Sequence, residues 1–212
     1  MAVLALALVL GGLGAGIVLS GQSPGTTTTV TTTKTATSSA TDSSPYTVTL
    51  VIATDSIYNS TAQDQPAYFL LGPNGLESSA NITLPANRLI KLVIINYDDG
   101  NATLNQFGAN LVSGTSDGKI FVASNDNINS SEGPSGIVLN GGQSVSSVPS
   151  DGVAHTFTVP SLNLNIPVPM SSTVVAYFTI SRAGNYAWFC LTACGDAAMT
   201  TAGWMTGNLA AS

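Results

Sequence analysis

Hydrophobic and polar positions change rhythm twice along this chain. The first twenty residues, MAVLALALVLGGLGAGIVLS, carry no charged side chain. At about 1.5 Å per residue, such a run spans a hydrocarbon core of about 30 Å. A membrane anchor is therefore expected over 1–20. A cleaved signal segment is the alternative, although the run lacks a basic leading region and a clear A-x-A site. Residues 21–45 are rich in Thr and Ser and lose all apolar periodicity. With no face to bury, they are expected to form a disordered linker that holds a domain off a membrane.

From Tyr46 the pattern alternates with a period of two. YTVTLVIAT (46–54), PAYFLL (66–71) and the Arg88–Asn96 core of NITLPANRLIKLVIINYDDG read as strands. Asp98, Asp99 and Gly100 read as the turn that closes the last of them. GVAHTFTVP (152–160), STVVAYFTI (172–180), NYAWFC (185–190) and GWMTGNLAA (203–211) are further strand candidates. Residues 100–152, rich in Gly, Asn and Ser, read as a long insertion with one or two short strands around KIFVAS and GIVL. No helical period of useful length follows residue 20. Many short strands separated by turn signals predict an all-β domain over 46–212, an antiparallel sandwich.

Charge sharpens this picture. Only 8% of the residues are charged, against about 25% in a typical soluble domain. With five Lys and Arg in all and a formal net charge of -6, the chain has no electrostatic footprint for nucleic acid. Its solubility rests on Ser, Thr, Asn and Gly, a surface that keeps its character in acid. An extracytoplasmic domain at the cell membrane is expected. N-x-S/T sequons at Asn59, Asn81, Asn101 and Asn129 fit a glycosylated surface.

The candidate chemistry gathers between Asn185 and Gly207. That stretch holds both cysteines, both tryptophans, Met199 and Met205, while the single histidine, His155, lies upstream. Thiolate, thioether and imidazole are soft and borderline donors of the kind that suit copper. Cys190 and Cys194 stand in a C-x3-C spacing. A disulfide there closes a tiny loop, worth about 2 kcal/mol by chain entropy. Two thiolates converging on a soft cation is the equal alternative. With one imidazole, no carboxylate cluster and no G-x-S-x-G, the sequence gives no support to a hydrolase.

H-T-F-T-V-P at 155–160, followed by G-N-Y-A-W-F-C-L-T-A-C-G at 184–195 and G-W-M-T-G at 203–207, resembles the cupredoxin pattern. It is similar to the copper-binding domain of cytochrome oxidase subunit II and to sulfocyanin-type blue copper proteins of archaea. The resemblance runs from about Leu84 to Ser212 and implies a mixed or antiparallel Greek-key sandwich. It further implies copper as cofactor, electron transfer tied to a respiratory chain or terminal oxidase, and a redox protein as partner. His155 matches the upstream histidine ligand, Cys190 the thiolate after the penultimate strand, and Cys194 the second cysteine of the dinuclear site. Met205 fits the thioether position before the last strand, with Met199 as the other candidate. The chain departs from the pattern where Ala198 replaces the second histidine, Thr201 the methionine of the dinuclear register, and Thr192 the glutamate whose carbonyl binds copper. An aromatic rim of Trp188, Phe189 and Trp204 is expected to shield the site. A metal-free adhesive sandwich and a copper storage or delivery protein are the alternative functions.

Overall fold

The computed structural model of the chain describes residues 44–54, 65–100, 102–104, 106–125, 128–129, 138–139 and 141–212. The expected anchor over 1–20, all of the linker except Ser44 and Pro45, and the sequon residues Asn59 and Asn101 lie outside the described residues, as does the side chain of Asn129. Among the described residues, no helix is long and apolar enough to cross a membrane.

The alternating segments fold as strands. In chain order they are β1 (Tyr46–Thr54), β2 (Pro66–Gly72), β3 (Gly75–Ser78), β4 (Asn81–Leu84) and β5 (Leu89–Asn96). Residues of the insertion supply β6 (Ile120–Ser124), β7 (Ile128–Asn129), β8 (Val138–Leu139) and β9 (Gln143–Val145). The remainder are β10 (Val153–Val159), β11 (Leu164–Pro169), β12 (Ser172–Thr179), β13 (Gly184–Phe189) and β14 (Thr206–Ala211). They form a seven-stranded sheet of order β3-β2-β1-β5-β12-β6-β9 and a five-stranded sheet of order β11-β10-β13-β14-β4. The short β7 and β8 pair with each other alone.

One apolar cluster joins the two sheets. Leu50, Ile52, Ile94 and Val174 come from the larger sheet, and Phe157, Ile166, Trp188 and Leu209 from the smaller. Burying each such side chain contributes about 1.5–3 kcal/mol, so the sandwich is held by the alternation already visible in the sequence.

The pairing differs from a purely antiparallel sandwich. β1 and β5 run parallel, with Leu50 opposite Ile94, and β14 runs parallel to β4, with Leu209 opposite Ile82. The cause is a crossover: after the β2–β3 hairpin the chain enters the smaller sheet as β4, then returns beside β1 as β5. Parallel neighbours need such a connection rather than a tight turn. The fold is thus the mixed sandwich that the resemblance implied.

The pattern missed the short strands β3, β4 and β9, and three further differences are informative. β11, LNIPVP, contains Pro167 and Pro169, which argue against a central strand; it lies at the edge of its sheet, paired with β10 and bridged on its other side to Ser113 at Asn165, so both prolines fall where proline is tolerated. A short helix, α1 (Asp196–Thr200), interrupts the stretch between β13 and β14, too short to show a helical period. The closing strand begins at Thr206 rather than at residue 203, because Gly203 turns at φ 89° and its N–H bonds the carbonyl of Thr206.

Candidate metal centre

Three donor atoms arrive from one side of the five-stranded sheet. β10 and β13 are neighbours there, paired at Thr158 and Phe189. Against β11, the register of β10 shifts between Val153 and His155. A bulge of this kind re-aims the side chains that follow it. Beyond it, His155 shares a face with Phe157 and Val159, all three buried.

Cys190 follows β13 directly. Its N–H donates to the carbonyl of Met205 at 2.8 Å, and the N–H of Met205 donates to the carbonyl of Ala198 at 3.1 Å, so the ligand loop closes on itself. The insertion holds the middle of that loop: the N–H of Ala193 donates to the Thr103 carbonyl at 3.0 Å, and Leu104 bridges Thr192. Gly195 turns at φ 93°, a left-handed conformation that favours glycine.

The result is a compact donor set. His155 Nδ1 lies 3.2 Å from Cys194 Sγ, and Cys190 Sγ lies 3.3 Å from Cys194 Sγ. All three donor residues offer atoms within 4.8 Å of one another, and all three are buried. Both cysteines are free. Nitrogen and thiolate donors at about 2.0–2.3 Å from a shared tetrahedral ion stand about 3.3–3.8 Å apart. The two short separations observed here are close to those of ligands gathered on one cation. The donor chemistry, two sulfurs and an imidazole, suits a soft metal such as copper(I).

Electrostatics prepare the same site. Burial works against a charge on Cys190, but the hydrogen bond from Cys194 and the proximity of the His155 ring outweigh it and hold its thiol well below the usual range. Cys194 moves the other way, because it gives its hydrogen bond to the Cys190 sulfur and is itself desolvated. For His155, burial alone would lower the pKa; the carboxylate of Asp98 and the sulfur of Cys190 raise it. The hydrogen bond from His155 lowers Asp98, against the smaller effect of burial. These surroundings favour the thiolate at Cys190, and thiolate is the form that binds metal.

The chain matches no family profile and no curated protein. Solved structures are similar to it in fold. The periplasmic domain of subunit II of cytochrome oxidase from Bradyrhizobium japonicum is 10% identical, covering 79% of this chain and 83% of that one, with a TM-score of 0.35. Auracyanin B is 14% identical over 81% and 93% of the two chains, at a TM-score of 0.34. Rusticyanin from Thiobacillus ferrooxidans is 15% identical over 80% and 79%, at 0.32. These neighbours are cupredoxins.

Set beside the cupredoxin motif, the predicted residues fall as follows. His155, Cys190 and Cys194 come together. Met205 is fully buried and its backbone brackets Cys190, while Met199 lies partly buried on α1 against the core. Ala198, in the place of the second histidine, is buried in α1, and Thr201 caps that helix. Thr192 turns its side chain toward the sulfurs: its hydroxyl donates to the Ala154 carbonyl at 2.8 Å, and its oxygen lies 3.1 Å from each Sγ. Of the expected rim, Trp188 is interior instead. It stacks on Phe157 at 5.3 Å between ring centres and meets Tyr68 edge-on at 5.3 Å. Tyr68 also meets the His155 ring edge-on at 6.5 Å, so the aromatic cluster reaches the centre through Tyr68. Asn81 lies on β4 at an exposed position.

Two contributors were missed. Asp98 Oδ2 lies 2.9 Å from His155 Nε2. Gln65 Oε1 accepts the N–H of Ala198 at 2.8 Å and so anchors α1 from the start of β2. Asp98 read as a turn residue and Gln65 as loop, since neither belongs to a local motif.

Proposed function

We propose that this protein is an extracytoplasmic copper-binding cupredoxin that carries electrons. In this reading residues 1–20 hold it at the membrane, and a redox protein of a respiratory chain or terminal oxidase is its partner. The supporting observation is the buried convergence of His155 Nδ1 with the two free sulfurs. Copper, when bound, would supply one-electron chemistry between Cu(I) and Cu(II). His155, Cys190 and Cys194 would hold it, with the Met205 thioether as fourth donor and Met199 as the substitute. Two histidines, one thiolate and a weak methionine define a blue site. A chain with one histidine and two thiolates offers a more sulfur-rich set, which favours Cu(I). Tyr68, backed by Phe157 and Trp188, keeps water from its inner side.

Loading the full chain with copper tests this reading. Wild-type protein should retain copper through dialysis and show thiolate-to-copper absorption. Cys190→Ser and His155→Ala should each weaken binding beyond the roughly 100-fold expected from loss of an outer residue. Retention no better in wild type than in His155→Ala would sink the proposal.

A second reading, copper storage or delivery, is favoured by a recess of about 160 Å³ whose lining includes Asp98, His155 and Cys194. Rapid exchange of bound Cu(I) with a chelator, without a reversible redox couple, would select it.

A further inference from the structure

Asp98 lies outside every motif of the chain, yet its carboxylate is held from two directions. Oδ1 accepts the N–H of Gly100 at 2.9 Å, and Oδ2 faces His155 Nε2 at 2.9 Å. Its backbone is fixed as well: the Asp98 N–H donates to Asn96 Oδ1 at 3.0 Å, and its carbonyl accepts the Ser171 N–H at 2.9 Å. Asn96 is in turn tied across to β11 of the smaller sheet, its Nδ2 donating to the Pro169 carbonyl at 2.8 Å. The carboxylate therefore has little freedom to turn away from the ring.

An ionised carboxylate only accepts hydrogen bonds. Facing Nε2, it places a proton there, and in the neutral ring this leaves Nδ1 with its lone pair. Nδ1 is the nitrogen that points at Cys194. We propose that Asp98 is a positioning residue that fixes the tautomer and orientation of His155, so that Nδ1 is presented as a donor beside the two sulfurs. Pairing of this type orients a ligand imidazole and raises its basicity. Its effect on copper binding rests on the function proposed above; its effect on the tautomer does not.

Asparagine at this position gives a sharp test. It keeps the size of Asp98 but has one acceptor oxygen for two donors, the Gly100 N–H and the His155 ring. If the oxygen stays on Gly100, the amide NH2 faces Nε2 and donates to it. The ring proton is then driven to Nδ1, the wrong nitrogen for metal.

The experiment compares full-length wild type, Asp98→Asn and Asp98→Ala. In metal-free protein labelled with 15N-histidine, long-range proton–nitrogen correlations at a pH where the ring is neutral should report Nε2–H in wild type. In Asp98→Asn they should report a shift toward Nδ1–H. Copper(I) affinity, measured by competition with a chelator, should fall about 10–100-fold in both variants. Asp98→Asn is near-isosteric and guards against loss of folding in Asp98→Ala. An Asp98→Asn protein with the wild-type tautomer and unchanged copper(I) affinity would overturn the proposal. If wild type binds no copper, the functional reading fails and the tautomer alone decides whether Asp98 has this role.

Discussion

In the larger sheet, β1, β5 and β12 lie side by side, and their core-facing residues are mostly aliphatic, Leu50, Ile52, Ile90, Leu92, Ile94 and Val174, joined by Phe178 and, at the strand ends, by the buried Asn96 and Ser172. In the smaller sheet, β10 buries His155 on the core face beside Phe157 and Val159, and Thr156 and Thr158 on the other face, while Cys190 follows the end of β13. The polar groups there are not left bare. Thr156 Oγ1 accepts the Leu191 N–H at 2.8 Å, and Thr158 Oγ1 donates to Asn165 Oδ1 at 2.7 Å. Buried polar groups are tolerated when they are paired in this way. The larger sheet thus serves mainly as the packing framework, while the smaller gives up a core-facing position of β10 to the His155 donor. The larger sheet reaches the centre through Asp98, just past the end of β5.

That division can be broken by mutation. Ile94→Ala, at a fully buried position of the larger sheet, should cost about 2–5 kcal/mol in urea unfolding. It should leave copper stoichiometry unchanged below the transition; loss of copper in the folded variant would show that framework and centre are not separable. Gly207→Ala acts in the smaller sheet. An added Cβ would sit 2.7 Å from Trp188 Nε1 and 2.9 Å from the Ala80 carbonyl. The expected cost is about 1–3 kcal/mol, with a shift in Trp188 fluorescence, because the clash falls on a ring packed against Tyr68, which in turn meets His155. Phe107→Ala marks the lower bound. Its side chain is fully exposed, so stability should change by less than about 0.5 kcal/mol and copper affinity not at all.

Legibility follows the range of the interactions. The strands were visible because alternation is a local signal, recorded in each segment by itself. Their partners were not: period two reports which face is buried, and says nothing of whether β5 lies parallel or antiparallel to β1. β11 was hidden by its two prolines, whose meaning depends on a place at the edge of a sheet. At the centre, His155, Cys190 and Cys194 stood out by residue type and by their likeness to the cupredoxin motif. Asp98 and Gln65 did not, because their partners lie 57 and 133 residues away. A turn aspartate and a loop glutamine carry no mark of such contacts.

The bulge before His155 has a consequence for how such a centre is gained or lost. Side chains of a strand alternate strictly, so a change of one residue in length reverses the face that each presents. The extra residue lets Val153 and His155 both turn inward although they pair with the successive residues Pro169 and Val168, so removing it would force one of the two off that face. The centre therefore depends on chain length at one position as well as on the identity of its donors.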